Sequence, residues 1–151
     1  MCKNISFLLL AITAVVHIAF GLIYVLADQF MGYHAVALST NWEDLSPSYQ
    51  VLILALMRLA GAAGLIAGLV NITLLFYFFR KEYLPIIWLA PVSAVIFQFF
   101  TNYVVYQVYT KTPGSPPLFW VSFGSSILIV ALVFFTRWMK DQHLTKKSKG
   151  Q

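Results

Sequence analysis

Residues Val51 to Phe79 read VLILALMRLAGAAGLIAGLVNITLLFYFF, and only Arg58 and Asn71 interrupt this apolar run with strongly polar side chains. An apolar run of about 20 residues is long enough to cross a hydrocarbon core of about 30 Å as a helix. Backbone amide and carbonyl groups in lipid must be satisfied within the segment, which favours a helix. The run therefore predicts a transmembrane helix, with Ser46 as its N-cap and Pro47 as its first residue.

Three further apolar runs have a similar character. Together the four runs predict helices at about residues 5–27, 47–79, 84–108 and 118–138, with an outer loop at 28–46 and a basic tail at 139–151. Of the 151 residues, 60% are hydrophobic and only 10% are charged, whereas soluble domains carry about a quarter charged residues. We therefore expect a single domain of the all-α class, an integral membrane bundle of four transmembrane helices.

The first apolar run has a second interpretation, which is a cleaved signal peptide that begins with the basic residue Lys3. The apolar region of a signal peptide usually has about 7–15 residues. The run from Ile5 to Ala27 is far longer than that. We therefore interpret it as a retained helix.

Lysine and arginine residues are distributed unequally between the two ends of the predicted bundle. Eight of the ten lie on one side: Lys3, Arg80, Lys81, Arg137, Lys140, Lys146, Lys147 and Lys149. The opposite side carries Lys111, and Arg58 lies within a span. The positive-inside rule then predicts that both termini are cytoplasmic, an N-in/C-in topology. The net charge of +5 does not indicate nucleic-acid binding, because the basic tail is short, lacks interleaved aromatic residues and suits anionic lipid.

The sequence gives little support for a cofactor, a metal or a catalytic residue. Cys2 is the only cysteine, so neither an intrachain disulfide nor a CxxC pair can form. Haem held between two helices needs two facing histidines, and the predicted spans contain only His17. The set His17, His34 and Asp28 has no spacing diagnostic of a metal site. We therefore predict no cofactor and no metal, assign no catalytic residue, and favour a non-enzymatic protein.

Small residues and prolines indicate how the helices pack. Gly61, Gly64 and Gly68 lie on one face of the second helix, and small residues let helix backbones approach closely in lipid. Their partner is another helix of the bundle or a second copy of the chain; we favour the bundle, since the GxxxG spacing is common. In the third helix, Pro85 suits the first turn, and Pro91 is expected to produce a kink.

Polar side chains within the predicted spans are concentrated toward the outer side. We predict a ligand-binding pocket, open to the outside and lidded by the outer loop, from these residues: His17, Arg58, Gln98, Asn102, His34 and Trp42. Ionisable residues within membrane spans usually face the protein interior or a functional site. Arg58 would pair with an acidic residue of the outer loop (Asp28, Glu43 or Asp44) or bind an anionic group.

Each of the two ionisable residues in this predicted pocket also has a structural interpretation. Arg58 lies near the outer interface, where a long basic side chain can extend its charge to the headgroups. His17 could form a hydrogen bond between helices. Both interpretations remain open at the level of sequence.

The segments from Tyr33 to Trp42 and from Gln50 to Gly61 resemble small four-span bacterial membrane proteins that have no assigned activity. In general shape the chain is also similar to DoxX-like four-helix proteins, without a shared motif. The resemblance implies a location in the bacterial inner membrane and carries over no activity.

These observations predict a non-enzymatic membrane protein. It would be either an accessory subunit or a binder of a lipophilic or anionic ligand at the outer leaflet. The alternative is a membrane enzyme or a transporter that uses the outer polar residues; four spans make a small transporter, so it would need a homo-oligomer, formed through Gly64 and Gly68. The expected partners are the lipid bilayer and either another protein or further copies of this chain.

Overall fold

The computed structural model describes residues 2–81, 86–114 and 116–149. In chain order the elements are α1 (Cys2–Leu26), α2 (Gly32–Leu38), a 3-10 turn (Trp42–Asp44), α3 (Pro47–Lys81), a second 3-10 turn (Ile86–Trp88), α4 (Leu89–Lys111) and α5 (Leu118–Lys149). Across these described ranges every regular element is helical, which confirms the all-α class.

Four of these helices are long and apolar enough to cross a membrane: Cys2–Leu26, Pro47–Tyr77, Ile86–Lys111 and Leu118–Gln142. Their outer surfaces are dominated by large apolar side chains, such as Leu59 (69% exposed), Phe99 (63%) and Phe119 (71%). Soluble monomers rarely expose contiguous apolar surface on this scale. The structure therefore confirms four candidate membrane spans with a surface suited to lipid.

Two prolines behave according to their position in a helix. α3 begins at Pro47, as predicted, because proline at the first position of a helix loses no hydrogen bond. Pro91 was expected to kink a helix that began near residue 84. Instead α4 begins at Leu89, so Pro91 lies in its first turn, where a missing N–H leaves no carbonyl unpaired. The irregularity lies before it, in the 3-10 turn at Ile86–Trp88. Pro85 lies outside the described residues.

The predicted cytoplasmic tail is helical over most of its length. α5 was expected to end near residue 138, but it continues to Lys149. Trp138 and Met139 are buried in the core, so packing extends past the predicted end. No proline or glycine occurs in the tail before Gly150, and sequence therefore offers no stop signal there.

The apolar core lies toward the end of the bundle that contains the start of α1 and the later part of α5. α1 packs mainly against α3 and α5, and α4 contacts both of those helices. The core residues are Phe7, Leu10, Leu75, Ile87, Ala94, Leu128, Ala131, Phe135, Trp138 and Met139. Because this end is filled with apolar side chains, the buried polar network described below lies in the other half.

Glycines allow α1 and α3 to approach closely. A Cβ atom placed on Gly61 would lie 2.8 Å from the backbone oxygen of Gly21, and one placed on Gly68 would lie 2.7 Å from another α1 backbone oxygen. At Gly64 the corresponding distance to the oxygen of His17 is 3.1 Å. The three glycines of α3 thus lie inside the bundle, against α1.

Candidate functional site

His17 lies on the buried face of α1, and neither of its ring nitrogens has a hydrogen-bond partner with good geometry. Its side chain is 3% exposed, and its ring packs on Phe97 with 4.5 Å between centroids. Gln98 lies next to the imidazole. Its amide nitrogen, however, donates to α5, and neither ring nitrogen of His17 has a partner with hydrogen-bonding geometry. A buried polar group left unpaired costs about 1–3 kcal/mol. His17 is therefore an unsatisfied polar centre between helices.

Ser125 joins the two predicted amide side chains of α4 to α5. Gln98 Nε2 donates to Ser125 Oγ at 3.0 Å and to the carbonyl oxygen of Val121 at 3.2 Å. Asn102 Nδ2 donates to the same Ser125 Oγ at 3.0 Å. One hydroxyl thus holds two amides that lie one helical turn apart on α4. Sequence predicted that Gln98 and Asn102 would share a site, and the structure brings them together through Ser125.

A column of aromatic rings leads from His17 toward the predicted outer end of the bundle, which carries residues 28–46. Phe97, which contacts His17, packs against Phe20 with 6.2 Å between centroids. Phe20 packs in turn on Tyr24 at 4.3 Å. Phe20 and Tyr24 follow His17 by three and seven residues, so all three lie on one face of α1. The column therefore connects the buried imidazole with the segment that covers the outer end.

That segment, residues 28–46, was predicted as a loop, but it contains α2 and the first 3-10 turn. The hydroxyl of Tyr33 is hydrogen-bonded to that of Tyr24. His34 contacts Tyr24, Tyr33 and Phe30 edge-on, and Phe30 contacts Trp42 with 5.2 Å between centroids. We call residues 28–46 the outer cap. It places His34 and Trp42 at the top of the aromatic column.

The outer cap is attached at two further points. Gln50 Nε2, in the first turn of α3, donates to the carbonyl oxygen of Trp42 at 2.8 Å. Ala37 approaches Gly114 so closely that a Cβ on that glycine would lie 2.7 Å from the Cβ of Ala37. Ser39 caps the C-terminal end of α2, and its φ of 52° reverses the chain in the left-handed region. The cap is thus fixed to α1, to α3 and to the connection between α4 and α5.

Arg58 does not belong to this network. Its side chain is exposed, whereas the neighbouring Met57 is buried. No ion pair joins Arg58 to Asp28, Glu43 or Asp44, all of which are described. The guanidinium group therefore lies at the protein surface, where a long side chain can extend toward headgroups. Of the six predicted ligand-binding residues, the other five are linked through intervening side chains, which are Ser125, Phe97, Phe20, Tyr24 and Phe30.

Sequence reasoning missed several members of the network: Phe20, Tyr24, Tyr33, Phe97 and Ser125. The spacing of His17, Phe20 and Tyr24 was a signal that could have identified two of them. Ser125 could not be distinguished from the adjacent Ser126, since only the packing of α5 decides which hydroxyl faces α4. Ser126 is exposed and donates to the carbonyl of Ser122 within its own helix.

Two grooves with defined volumes lie outside the network. One of about 490 Å³ lies between α1 and α3, and one of about 150 Å³ lies between α4 and α5.

Within the described part of the chain, no three side chains of His, Cys, Asp or Glu are grouped so that they could hold a metal ion. The chain matches no protein family, no curated protein and no solved structure.

The outer cap should loosen on acidification because of His34. Burial lowers the pKa of this histidine below its ordinary value of 6.5. Its neutral Nδ1 also accepts a hydrogen bond from the backbone N–H of Met31 at 3.3 Å. The unfolded segment therefore binds a proton more readily than the folded cap, and the stability of the cap falls as pH drops below about 6.5. The protection factors of residues 30–38, obtained from hydrogen exchange measured between pH 7.5 and 5 and corrected for the intrinsic pH dependence of exchange, should fall accordingly.

The matched control for this pH dependence is His34→Phe, which keeps an aromatic ring but cannot titrate. Exchange in the variant, after correction for the intrinsic pH dependence of exchange, should change little over the same range. Equal acid sensitivity in both proteins would assign the effect to a group other than His34.

Proposed function

We propose that this chain is a four-span protein of a bacterial inner membrane, with both termini in the cytoplasm. The charge distribution supports this topology. Lys3 lies in the first turn of α1, Arg80 and Lys81 end α3, and five further basic residues lie late in α5 or after its apolar part. With four antiparallel spans these positions fall on one side, which is the cytoplasmic side under the positive-inside rule.

Within that topology, we propose that the protein is a non-enzymatic binder of a lipophilic molecule with a hydrogen-bonding head, held in the outer half of the bundle. The observation that carries the proposal is the buried imidazole of His17, both of whose nitrogens lack a partner. A neutral imidazole offers one donor and one acceptor. A carbonyl oxygen of a ligand would accept from the protonated nitrogen, and a ligand hydroxyl group would donate to the other nitrogen, which would relieve the desolvation penalty.

The side chains around His17 have the chemistry that would suit a ligand that is polar at one end and apolar along its length. Gln98 supplies a second polar side chain next to the imidazole. Phe97 and Phe20 supply flat apolar surfaces for the rest of the molecule. Lipophilic ligand sites generally combine mostly apolar walls with a few polar groups that fix orientation. The outer cap would then separate the bound head from water.

Gly124 offers a way to test this proposal without altering His17. A Cβ on Gly124 would lie 3.7 Å from Gln98 Oε1, an ordinary contact, so alanine fits there. Leucine at the same position would place further atoms against the Gln98 amide. We expect wild type and Gly124→Ala to co-purify in mild detergent with one enriched lipophilic molecule, near one per chain, and Gly124→Leu to lose it.

Mass spectrometry of organic extracts from the three purified proteins provides the measurement, with circular dichroism as the check on folding. Extracts with no enriched molecule in wild type would contradict the proposal. So would equal amounts of the molecule in wild type and a correctly folded Gly124→Leu.

A further inference from the structure

The larger groove lies between α1 and α3, at the opposite end of the bundle from the outer cap. It occupies about 490 Å³. The buried side chains of Phe7 and Leu75 form its floor, and the strongly exposed Leu8 and Phe76 form its walls. Ala11 leaves the groove open because its side chain is short. The volume falls within the range of about 300–1,000 Å³ that is typical of ligand sites.

The lining of this groove is apolar except at one end. Asn4, one turn before Leu8 on α1, is the polar residue of the lining. The groove therefore offers hydrocarbon surface along its length and an amide near the start of α1. In a protein with an apolar outer surface, such a groove suits a hydrocarbon chain whose polar end lies near Asn4.

One basic side chain is placed near this polar end. The Nζ of Lys3 lies 6.0 Å from the ring centroid of Phe7, on the groove floor, and 5.7 Å from that of Trp138. The N-terminus of α1 adds a partial positive charge from its unpaired N–H groups. In the sequence, Arg80 and Lys81 end α3 on the same side. A negatively charged headgroup complements this set.

We propose that the groove holds one acyl chain of an anionic phospholipid, with the phosphate near Lys3 and Asn4. This lipid belongs to the leaflet that faces the termini. Basic side chains at a membrane surface attract anionic lipids by about 1 kcal/mol each, and apolar side chains pack the acyl chain by van der Waals contact. The proposal concerns the opposite half of the molecule from His17 and does not depend on a ligand there.

The test is native mass spectrometry of the full-length protein in detergent, titrated with phosphatidylglycerol or with phosphatidylcholine of the same chain length. We expect the first bound phosphatidylglycerol to bind about fivefold more tightly than phosphatidylcholine, and Lys3→Gln to remove most of this preference. Lys111→Gln is the matched control, since it removes the same charge at the other end of the bundle, and it should leave the preference unchanged.

A second pair of variants tests the groove itself. Ala11→Trp fills it and should weaken the first binding event of both lipids by about tenfold. Ala19→Trp adds the same bulk to an exposed position of α1 outside the groove and should have no such effect. Ala11→Leu is prepared in parallel, so that a folding failure of the tryptophan variant leaves the test intact.

Three results would overturn the proposal. The first is equal affinity of wild type for the two lipids. The second is lipid affinity that is as high in Ala11→Leu and in a folded Ala11→Trp as it is in the control Ala19→Trp. The third is a wild-type dimer that disappears in the Ala11 variants, which would identify a second copy of the chain as the occupant of the groove.

Discussion

His17→Leu is expected to stabilise the ligand-free protein by about 1–3 kcal/mol, because it removes a buried polar group whose two nitrogens have no partner. Leucine is close to histidine in size and retains the apolar contact with Phe97. The same substitution should abolish retention of the proposed lipophilic ligand, since it removes the donor and the acceptor that would hold the head. Stability and binding would thus change in opposite directions.

The measurement is thermal unfolding of wild type and His17→Leu in the same detergent, after removal of bound molecules by extensive washing, together with mass spectrometry of the unwashed proteins. A rise in the melting temperature by several degrees is expected for the washed variant. A lower melting temperature would show that His17 has a structural partner, and Gln98 would be the residue to test next.

Asn71→Leu is the matched comparison, since Asn71 is equally buried at 3% exposed. Its Nδ2 lacks a partner, but its Oδ1 accepts a hydrogen bond from Ser93 Oγ at 3.1 Å. Leucine at this position removes one satisfied group together with one unsatisfied group. The gain in stability should therefore be smaller than for His17→Leu, and ligand retention should persist.

Sequence predicted the long apolar helices well, because their signal is local and strong. Three features could be identified without a structure: apolar runs of sufficient length, a proline at the first position of α3, and glycines on one face of that helix. The end of α5 could not be predicted from the sequence, because burial of Trp138 and Met139 depends on contacts with the beginning of α1. Pro91 was misinterpreted for a related reason: its effect depends on where α4 begins, and residues before it form a 3-10 turn.

The candidate site was only partly predictable. Polarity within an apolar run identified His17, Gln98 and Asn102, since such residues stand out against lipid-facing neighbours. The same rule selected Arg58, which the structure leaves exposed. Polarity alone does not specify the direction of a side chain, and a long basic side chain can leave an apolar span for the interface. The aromatic column had no such polar signal, and its members became evident only from ring contacts between elements.

The second large effect is expected at the contact between α1 and α3. Gly61→Ala and Gly68→Ala should each destabilise the protein by about 1–3 kcal/mol, because the added methyl group meets α1 backbone oxygen atoms at 2.8 and 2.7 Å. The clash can be relieved only if the α1 and α3 backbones move apart, which would weaken their contact along its length. Gly64→Ala should have an intermediate effect, since its nearest contact is 3.1 Å.

Gly124→Ala completes this series as the control, because its Cβ would make only an ordinary contact at 3.7 Å. Alanine favours a helix over glycine by up to about 1 kcal/mol, so this variant should be as stable as wild type or more stable. Thermal unfolding of the four variants in one detergent should rank their melting temperatures in the order of these contact distances, with the shortest contact giving the lowest melting temperature. If the glycine face instead joined two copies of the chain, Gly64→Ala would convert a dimer to a folded monomer. Size-exclusion chromatography with light scattering separates that result from the loss of stability that we expect.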